Sequence, residues 1–263
     1  MELGLAGKVV VVTGGASHIG RAIVRGFAAE GARIAIVDFD GDQARATAEM
    51  ARATGAAMAT ALVADVTSAS DIATATAAID ADFGAVDVLV NNAGWARPMY
   101  FAEQTPDYWR KLIDVNLMGA IAMTHAIAPG MVAARSGAIV FTSSDASFGE
   151  PRETVYGAAK GAINTFTKAF AREYGRYGIR ANAVAPGVII PEDAASLGKG
   201  SLWSASAQPF TPEQLEKVKA AIPLRRLGTP TDIANMVVFL SSSAAAHVSG
   251  QIVSVSGGYA TPG

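Results

Sequence analysis

The chain has no cysteine. Disulfides, thiol nucleophiles and thiolate metal sites are excluded at once. Histidine is scarce: His18, His125 and His247 lie far apart, and none falls in a metal-ligand spacing. Charge is sparse as well. Only 17% of residues are charged, the formal net charge is −2, and no basic run is present of the kind that tracks a phosphate backbone. Nucleic acid and anionic membrane are therefore poor partners. The opening MELGLAGKVVVVTGG carries only a few apolar residues in a row, preceded by Lys8. That is too short for a signal peptide or a membrane span, so the expectation is a cytoplasmic protein.

Apolar residues are abundant, at 51% of 263. A soluble chain must hide that surface in a large core or between subunits. The length suits one α/β unit, and no linker divides it.

A repeating unit runs through the sequence: an apolar run, a Gly or Asp turn, then an amphipathic stretch. Residues 8–14 (KVVVVTG) do not alternate, which predicts a strand buried on both faces. Further strands are expected at 33–38, 59–66, 86–94, 137–144, 179–187 and 251–258. Helices are expected at 18–32, 41–55, 68–84, roughly 106–134, 153–178 and 231–242. Strands alternating with helices predict parallel βαβ units and a doubly wound, seven-stranded sheet with helices on both faces, a Rossmann-like single domain. Ligands of such sheets bind beyond the carboxyl ends of the strands. That gathers the loops after Gly14, Asp38, Asp65, Asn92, Ser144 and Pro186 into one crevice. The segment at about 188–229 stands outside the repeat and reads as a substrate lid.

The first βα turn, TGGASHIG at 13–20, has the glycines that let a backbone approach a pyrophosphate at a helix N-terminus. Turns that bind nothing share such glycines. Asp38, 24 residues after Gly14, ends the second strand. An acidic group there accepts from adenosine ribose hydroxyls and repels a 2′-phosphate, which favours NAD over NADP. Arg33 and Arg45 are the nearest cations that could weaken that preference. Tyr156 and Lys160 share a helix face at i, i+4 spacing. A phenol titrates near 10, and a neighbouring ammonium favours the phenolate. Such a pair could exchange a proton with an alcohol or a carbonyl.

Taken together, TGGASHIG, VDFD with Asp38, ADV with Asp65 and Val66, NNAG at 91–94, DVNLMG with Asn116, TSS at 142–144, YGAAK and NAVAPG at 182–187 resemble the short-chain dehydrogenase/reductase family. The resemblance spans essentially the whole chain. It implies Tyr156 as general acid/base, with Lys160 binding the nicotinamide ribose and lowering the Tyr156 pKa. It implies Asn116 as holder of a relay water and a serine on strand five as partner of the substrate oxygen. Gly14, Ser17, His18, Ile19 and Gly20 would form the phosphate loop. Asp65 and Val66 would flank adenine, and Asn92, Ala93 and Gly94 would pack beside the adenosine ribose. Pro186, Gly187 and Ile189 would face the nicotinamide amide. The family commonly forms tetramers through its two long helices, so a homotetramer is implied, with a small alcohol or ketone as substrate and no metal. A finer likeness, in NNAGW, SSDA, VYGAAKG and SVSGG, points toward dehydrogenases of 2-hydroxycyclohexanecarboxyl-CoA.

Three positions depart from the family pattern. Counting back from Tyr156 gives Ser143 as the catalytic serine, while the register of the strand gives Ser144; strand register is the firmer guide and favours Ser144. Pro191 stands where a threonine would contact the carboxamide, and it has neither hydroxyl nor N–H. His18 replaces the middle glycine, where a Cβ is unfavourable if φ is positive; its imidazole could instead donate to a phosphate.

Pocket candidates are Trp95, Arg97, Met99, Phe148, Glu150, Arg152, Leu197, Leu202, Trp203 and Phe210. Their aromatic and aliphatic character suggests an apolar or ring-shaped secondary alcohol or ketone. A non-catalytic dinucleotide-binding module on the same fold is the alternative. A sugar-nucleotide epimerase also uses Tyr-x-x-x-Lys, but the chain has no large C-terminal substrate domain.

Overall fold

The computed structural model describes residues 2–192, 197–198, 203 and 210–261. Seven parallel strands form one sheet: β1 (Val9–Thr13), β2 (Arg33–Asp38), β3 (Met58–Val63), β4 (Val88–Asn91), β5 (Gly137–Thr142), β6 (Ile179–Pro186) and β7 (Ile252–Val255). Their spatial order is β3-β2-β1-β4-β5-β6-β7. The chain winds outward from β1 in both directions, so the switch point lies between β1 and β4.

Helices cover both faces. On one side lie α1 (His18–Ala29), α2 (Gly41–Thr54) and α8 (Pro230–Ser241), with Val10, Val12, Ile34 and Ile36 packed under Ile23, Phe27 and Val237. On the other lie α3 (Ala69–Asp82), α5 (Gly119–Ala134) and α6 (Thr154–Tyr174), where Val9, Val11, Leu89 and Ile139 meet Ile79, Met123, Met131 and Ile163. Successive residues of β1 thus enter two separate cores, which is why its apolar run does not alternate.

The expected helix at 106–134 is divided. α4 (Pro106–Ile113) and α5 are joined by a wide π turn at Asp114–Met118, where the Gly119 N–H reaches back five residues to the Asp114 carbonyl. The run is long and apolar enough to cross a membrane by length and composition. Here one face packs on the sheet through Met123, Ile127 and Met131, while Ile113 and Met118 stay exposed. β7 stops short of the expected 258, because Gly257 and Gly258 take positive φ and turn the chain. Inside 188–229, helix α7 (Pro212–Ala221) starts with a reciprocal Thr211–Gln214 capping box.

Candidate active site

The glycine loop leaves β1 at the switch point. Gly14 has φ +62, and a Cβ there would lie 2.7 Å from the Ala93 Cα. A Cβ on Gly20 would run into the Gly14 carbonyl. The loop is locked from β4: Asn92 Nδ2 donates to the carbonyls of Thr13 (3.2 Å) and Gly14 (2.9 Å), and Thr13 Oγ1 accepts from the amides of Asn92 and Ala93. Ser17, the N-cap of α1, makes no side-chain capping bond. The first-turn amides, from His18 through Ile19 and Gly20, therefore keep their capacity for an anion at the positive end of the helix dipole.

Asp38 faces this loop from the end of β2. Its carboxylate accepts from the amides of Ala16 and Asp40, each at 3.0 Å, while burial pushes its pKa up. Neither nearby arginine reaches it. Arg33 sits at the opposite end of β2 and donates to the carbonyls of Asp82 and Phe83, and Arg45 pairs with Asp42. Asp65 is exposed and bonds Thr67 within its own turn, while Val66 is buried against Gly119. The cradle that a Cβ would fill, the uncapped amides and Asp38 together fit a dinucleotide.

His18 does adopt the left-handed region, with φ +48. Its Nε2 is buried without a hydrogen-bond partner among the described residues. Burial lowers its pKa to about 4, against an opposing pull from Glu192, so the imidazole is neutral at pH 7. It lies in a small cavity with Arg21, Arg25, Met50 and Glu192, and its ring centroid is 6.5 Å from that of Trp203.

Across the switch point, α6 brings Tyr156 and Lys160 to the end of β5. A Cβ on Gly157 would strike the Ala146 carbonyl, so only glycine lets α6 approach the turn at Asp145–Phe148 so closely. Ser144 Oγ accepts from the Ala146 amide (3.1 Å), and the Ser144 hydroxyl is close enough to the Tyr156 phenol to favour its phenolate. Ser143 instead points into the protein, donating to Asn164 Oδ1 at 2.6 Å. The geometry thus pairs Ser144 with Tyr156 and gives Ser143 a structural bond.

Lys160 Nζ donates to the Thr142 carbonyl at 2.7 Å, and burial lowers its pKa to about 8. The Tyr156 phenol is pushed above its ordinary value by burial and then by the Glu153 carboxylate, with the Ser144 hydroxyl opposing. The lowering expected from Lys160 is therefore not the net effect in this structure. The ammonium is turned to Thr142 and sits 5.7 Å from the phenol ring centroid.

Asn116 occupies the π turn and is 1% exposed. Its amide exchanges two bonds with the Trp95 backbone, donating to the carbonyl (2.6 Å) and accepting from the N–H (3.2 Å). It thereby pins the chain leaving β4. A Cβ on Gly94 would lie 3.0 Å from Asn116 Oδ1 and 3.5 Å from Lys160 Nζ, so these three meet. Pro186 ends β6 beside β7, the following Gly187 amide donates to the Val255 carbonyl, and Ile189 is buried, bridged to Gly228.

The loops after β4 and β5 are tied together. The Met99 amide donates to the Arg152 carbonyl (2.8 Å), and Tyr108 Oη to the Arg97 carbonyl (2.5 Å). Trp95 packs against Tyr108 and carries Lys111 over its ring. Phe148 is exposed in the turn after Ser144, and Glu150 accepts from Tyr259 Oη at 3.4 Å. Leu197 departs from expectation: its carbonyl accepts from Gln43 Nε2, beside Asp40 and Asp42 on the Asp38 side of the crevice. Trp203 likewise sits near His18, next to Phe210, and Leu202 lies outside the described residues. The sequence reading missed Asp145 and Glu153. Glu153 had a signal, since it precedes Tyr156 by one helical turn.

Known proteins are similar to this chain over nearly its whole length. Residues 14–260 match the family described as enoyl-(acyl carrier protein) reductase. The chain is 37% identical over 255 residues to 2-(S)-hydroxypropyl-CoM dehydrogenase 3 of Xanthobacter autotrophicus, covering 97% of both proteins. It is 35% identical to 2,3-dihydro-2,3-dihydroxybenzoate dehydrogenase of Bacillus subtilis, again over 97% of both. Among solved structures, 7α-hydroxysteroid dehydrogenase complexed with NADH and 7-oxo glycochenodeoxycholic acid superposes with a TM-score of 0.88 at 32% identity, covering 98% of this chain and 96% of that one. With that coverage and these side chains at the ends of β1, β2, β4 and β5, the chain belongs to the short-chain dehydrogenase/reductase family of oxidoreductases.

Proposed function

We propose that the protein interconverts a secondary alcohol and a ketone with NAD as the preferred cofactor. The observation that carries this reading is the meeting of Ser144, Tyr156 and buried Lys160 at the end of β5, with the glycine cradle across the switch point. The nicotinamide, when bound, accepts hydride from the carbinol carbon or returns it to the ketone. The chain's own residues handle the proton. In the reducing direction Tyr156, whose phenol keeps its proton, would give it to the carbonyl oxygen as the C–H bond forms, with Ser144 holding that oxygen; in the oxidising direction the Tyr156 phenolate would take the hydroxyl proton back. Lys160 is a buried cation near that phenol, and Asn116 pins the loop at Trp95, whose neighbour Gly94 lies beside Lys160 Nζ.

Gly14, Ser17, Ile19 and Gly20 would hold the phosphates at the α1 N-terminus. Asp38 would take the adenosine ribose hydroxyls and exclude a 2′-phosphate. The exposed face of α4 and α5 would lie between subunits of a homotetramer. The test is a panel of secondary alcohols with NAD and with NADP, read at the nicotinamide absorbance, together with titration of NADH fluorescence. Turnover with NAD supports the reading. NADH binding with no turnover on any alcohol would favour a non-catalytic dinucleotide module.

A further inference from the structure

The segment after β6 turns toward the phosphate loop. Val188 and Ile190 pair with Gly228 through backbone bonds of 3.1 and 3.0 Å. The Glu192 carboxylate accepts from Arg25 on α1 (2.9 Å) and from Thr231 on α8 (2.5 Å). The Leu197 carbonyl accepts from Gln43 in the first turn of α2 (3.1 Å). A Cβ on Gly198 would stand 3.2 Å from Ser17 Oγ, so the chain there lies against the N-cap of α1. The Trp203 ring centroid is 6.5 Å from that of His18, with the planes tilted by 51°, and 6.0 Å from that of Phe210. None of these contacts is with Ser144, Tyr156 or Lys160. Ser17, His18, Arg25 and Gln43 instead belong to α1 and to the start of α2, on either side of Asp38.

His18 is costly where it stands. Its φ of +48 suits glycine, and its buried Nε2 has no partner among the described residues. Glycine would avoid both costs. Such strain persists only where the surroundings over-determine a conformation, and it gathers at ligand clamps. The imidazole shares its cavity with Arg21, Arg25, Met50 and Glu192, none of which belongs to the cradle around Gly14 and Gly20. Its ring contact is with half-buried Trp203, at a separation where aromatic rings attract.

We propose that His18 is a positioning residue for the dinucleotide: its contact with Trp203 holds Leu197 and Gly198 against Gln43 and Ser17, and so slows release of a cofactor bound at the α1 N-terminus. It acts through that segment rather than by a bond to the phosphates. The cofactor leaves only after the contacts at Ser17 and Gln43 part, and the His18–Trp203 contact adds to the barrier for parting them. The effect therefore falls on the dissociation rate. This inference rests on the NAD reading above.

The experiment follows NADH release by stopped-flow fluorescence, with excess NAD as the chase. It compares the unaltered protein with His18→Gly, Trp203→Ala, Trp203→Phe and the double variant of the first two. His18→Gly and Trp203→Ala should each speed release by about three- to tenfold, the range an aromatic pair supplies. The double variant should release no faster than the faster single one, because both remove the same contact. Trp203→Phe keeps a ring and should stay closer to the unaltered rate. Thermal melts separate this from general loosening: His18→Gly relieves the positive φ, so it should melt close to the parent while still losing NADH faster. If His18→Gly does not fold, Trp203→Ala and Trp203→Phe decide the matter. Release unchanged in the single variants overturns the inference, and so do single effects that multiply in the double variant. Slower release would mean that the segment obstructs the site, which overturns it too. Failure of the unaltered protein to bind NADH overturns the dinucleotide reading itself, and this inference with it.

Discussion

Ser143 Oγ lies 2.6 Å from Asn164 Oδ1, inside the packing between β5 and α6. It also contacts the Lys160 carbonyl at 3.3 Å, so its hydroxyl serves the helix that carries the catalytic pair. Ser144, one residue on, faces the cleft instead. Two adjacent serines therefore predict two different phenotypes. Ser144→Ala should lower kcat/KM by on the order of 10²-fold with little change in melting temperature. Ser143→Ala takes the donor from a half-buried amide oxygen and should cost about 1 kcal/mol of stability, with activity largely retained. Kinetics and thermal melts on both variants check the assignment; the reverse pattern would exchange the two roles.

Tyr156→Phe removes the only proton the proposed mechanism moves through a side chain. Turnover should fall by about 10³-fold or more, within the range general acid–base catalysis supplies. NADH binding should stay within a few-fold, because the cradle at Gly14–Gly20 and Asp38 lies on the other side of the switch point. Retained turnover would refute the proton-transfer role.

Asp38 both charges and builds the cofactor loop, since its two oxygens accept from Ala16 and Asp40. Asp38→Asn keeps one carbonyl acceptor and removes the charge. If charge excludes a 2′-phosphate, the NADP-to-NAD ratio of kcat/KM should rise by roughly tenfold or more, about 1.4 kcal/mol of relieved repulsion. An unchanged ratio would mean that cofactor choice rests on shape rather than on this carboxylate.

The seven parallel strands and the helices on both faces were legible in the sequence because buried parallel strands announce themselves: β1 is four valines and a threonine between two turns. The motif positions were legible too, since backbone contact fixes glycine at 14 and 20 and side-chain pairing fixes Tyr156 and Lys160 one turn apart. Orientation within a motif was less so. Strand register could favour Ser144 over Ser143, but only Asn164, across the packing with α6, shows where the other hydroxyl goes. The π turn at Asn116 has no local signal, because its cause is tertiary: the side chain is drawn to Trp95 on the facing loop. Asp145 and Glu153 read as ordinary loop and helix-start acids. Their surroundings, Ser254 from β7 and Glu150 from a turn, come from parts of the chain no local pattern connects.

His18 gives a prediction whose sign can be worked out. Its pKa is about 4 in the folded protein against 6.5 for a free imidazole. Between those values the unfolded chain binds a proton that the folded chain refuses, so the stability His18 contributes is present above pH 6.5 and is lost as pH falls toward 4. The full shift is worth at most about 3 kcal/mol. Asp145 and Glu153, raised to about 6 and about 7, act in the opposite direction over an overlapping range, so the wild-type profile alone is ambiguous. His18→Asn resolves it. Asparagine tolerates the positive φ and does not titrate, while both acids stay in place and cancel in the difference. Denaturant melts of the two proteins at pH 7.5, 6, 5 and 4.5 should show the variant gaining on the wild type as pH falls. Parallel curves would mean that the imidazole is not held neutral by burial, and its pocket beside Trp203 and Glu192 would then be open to water.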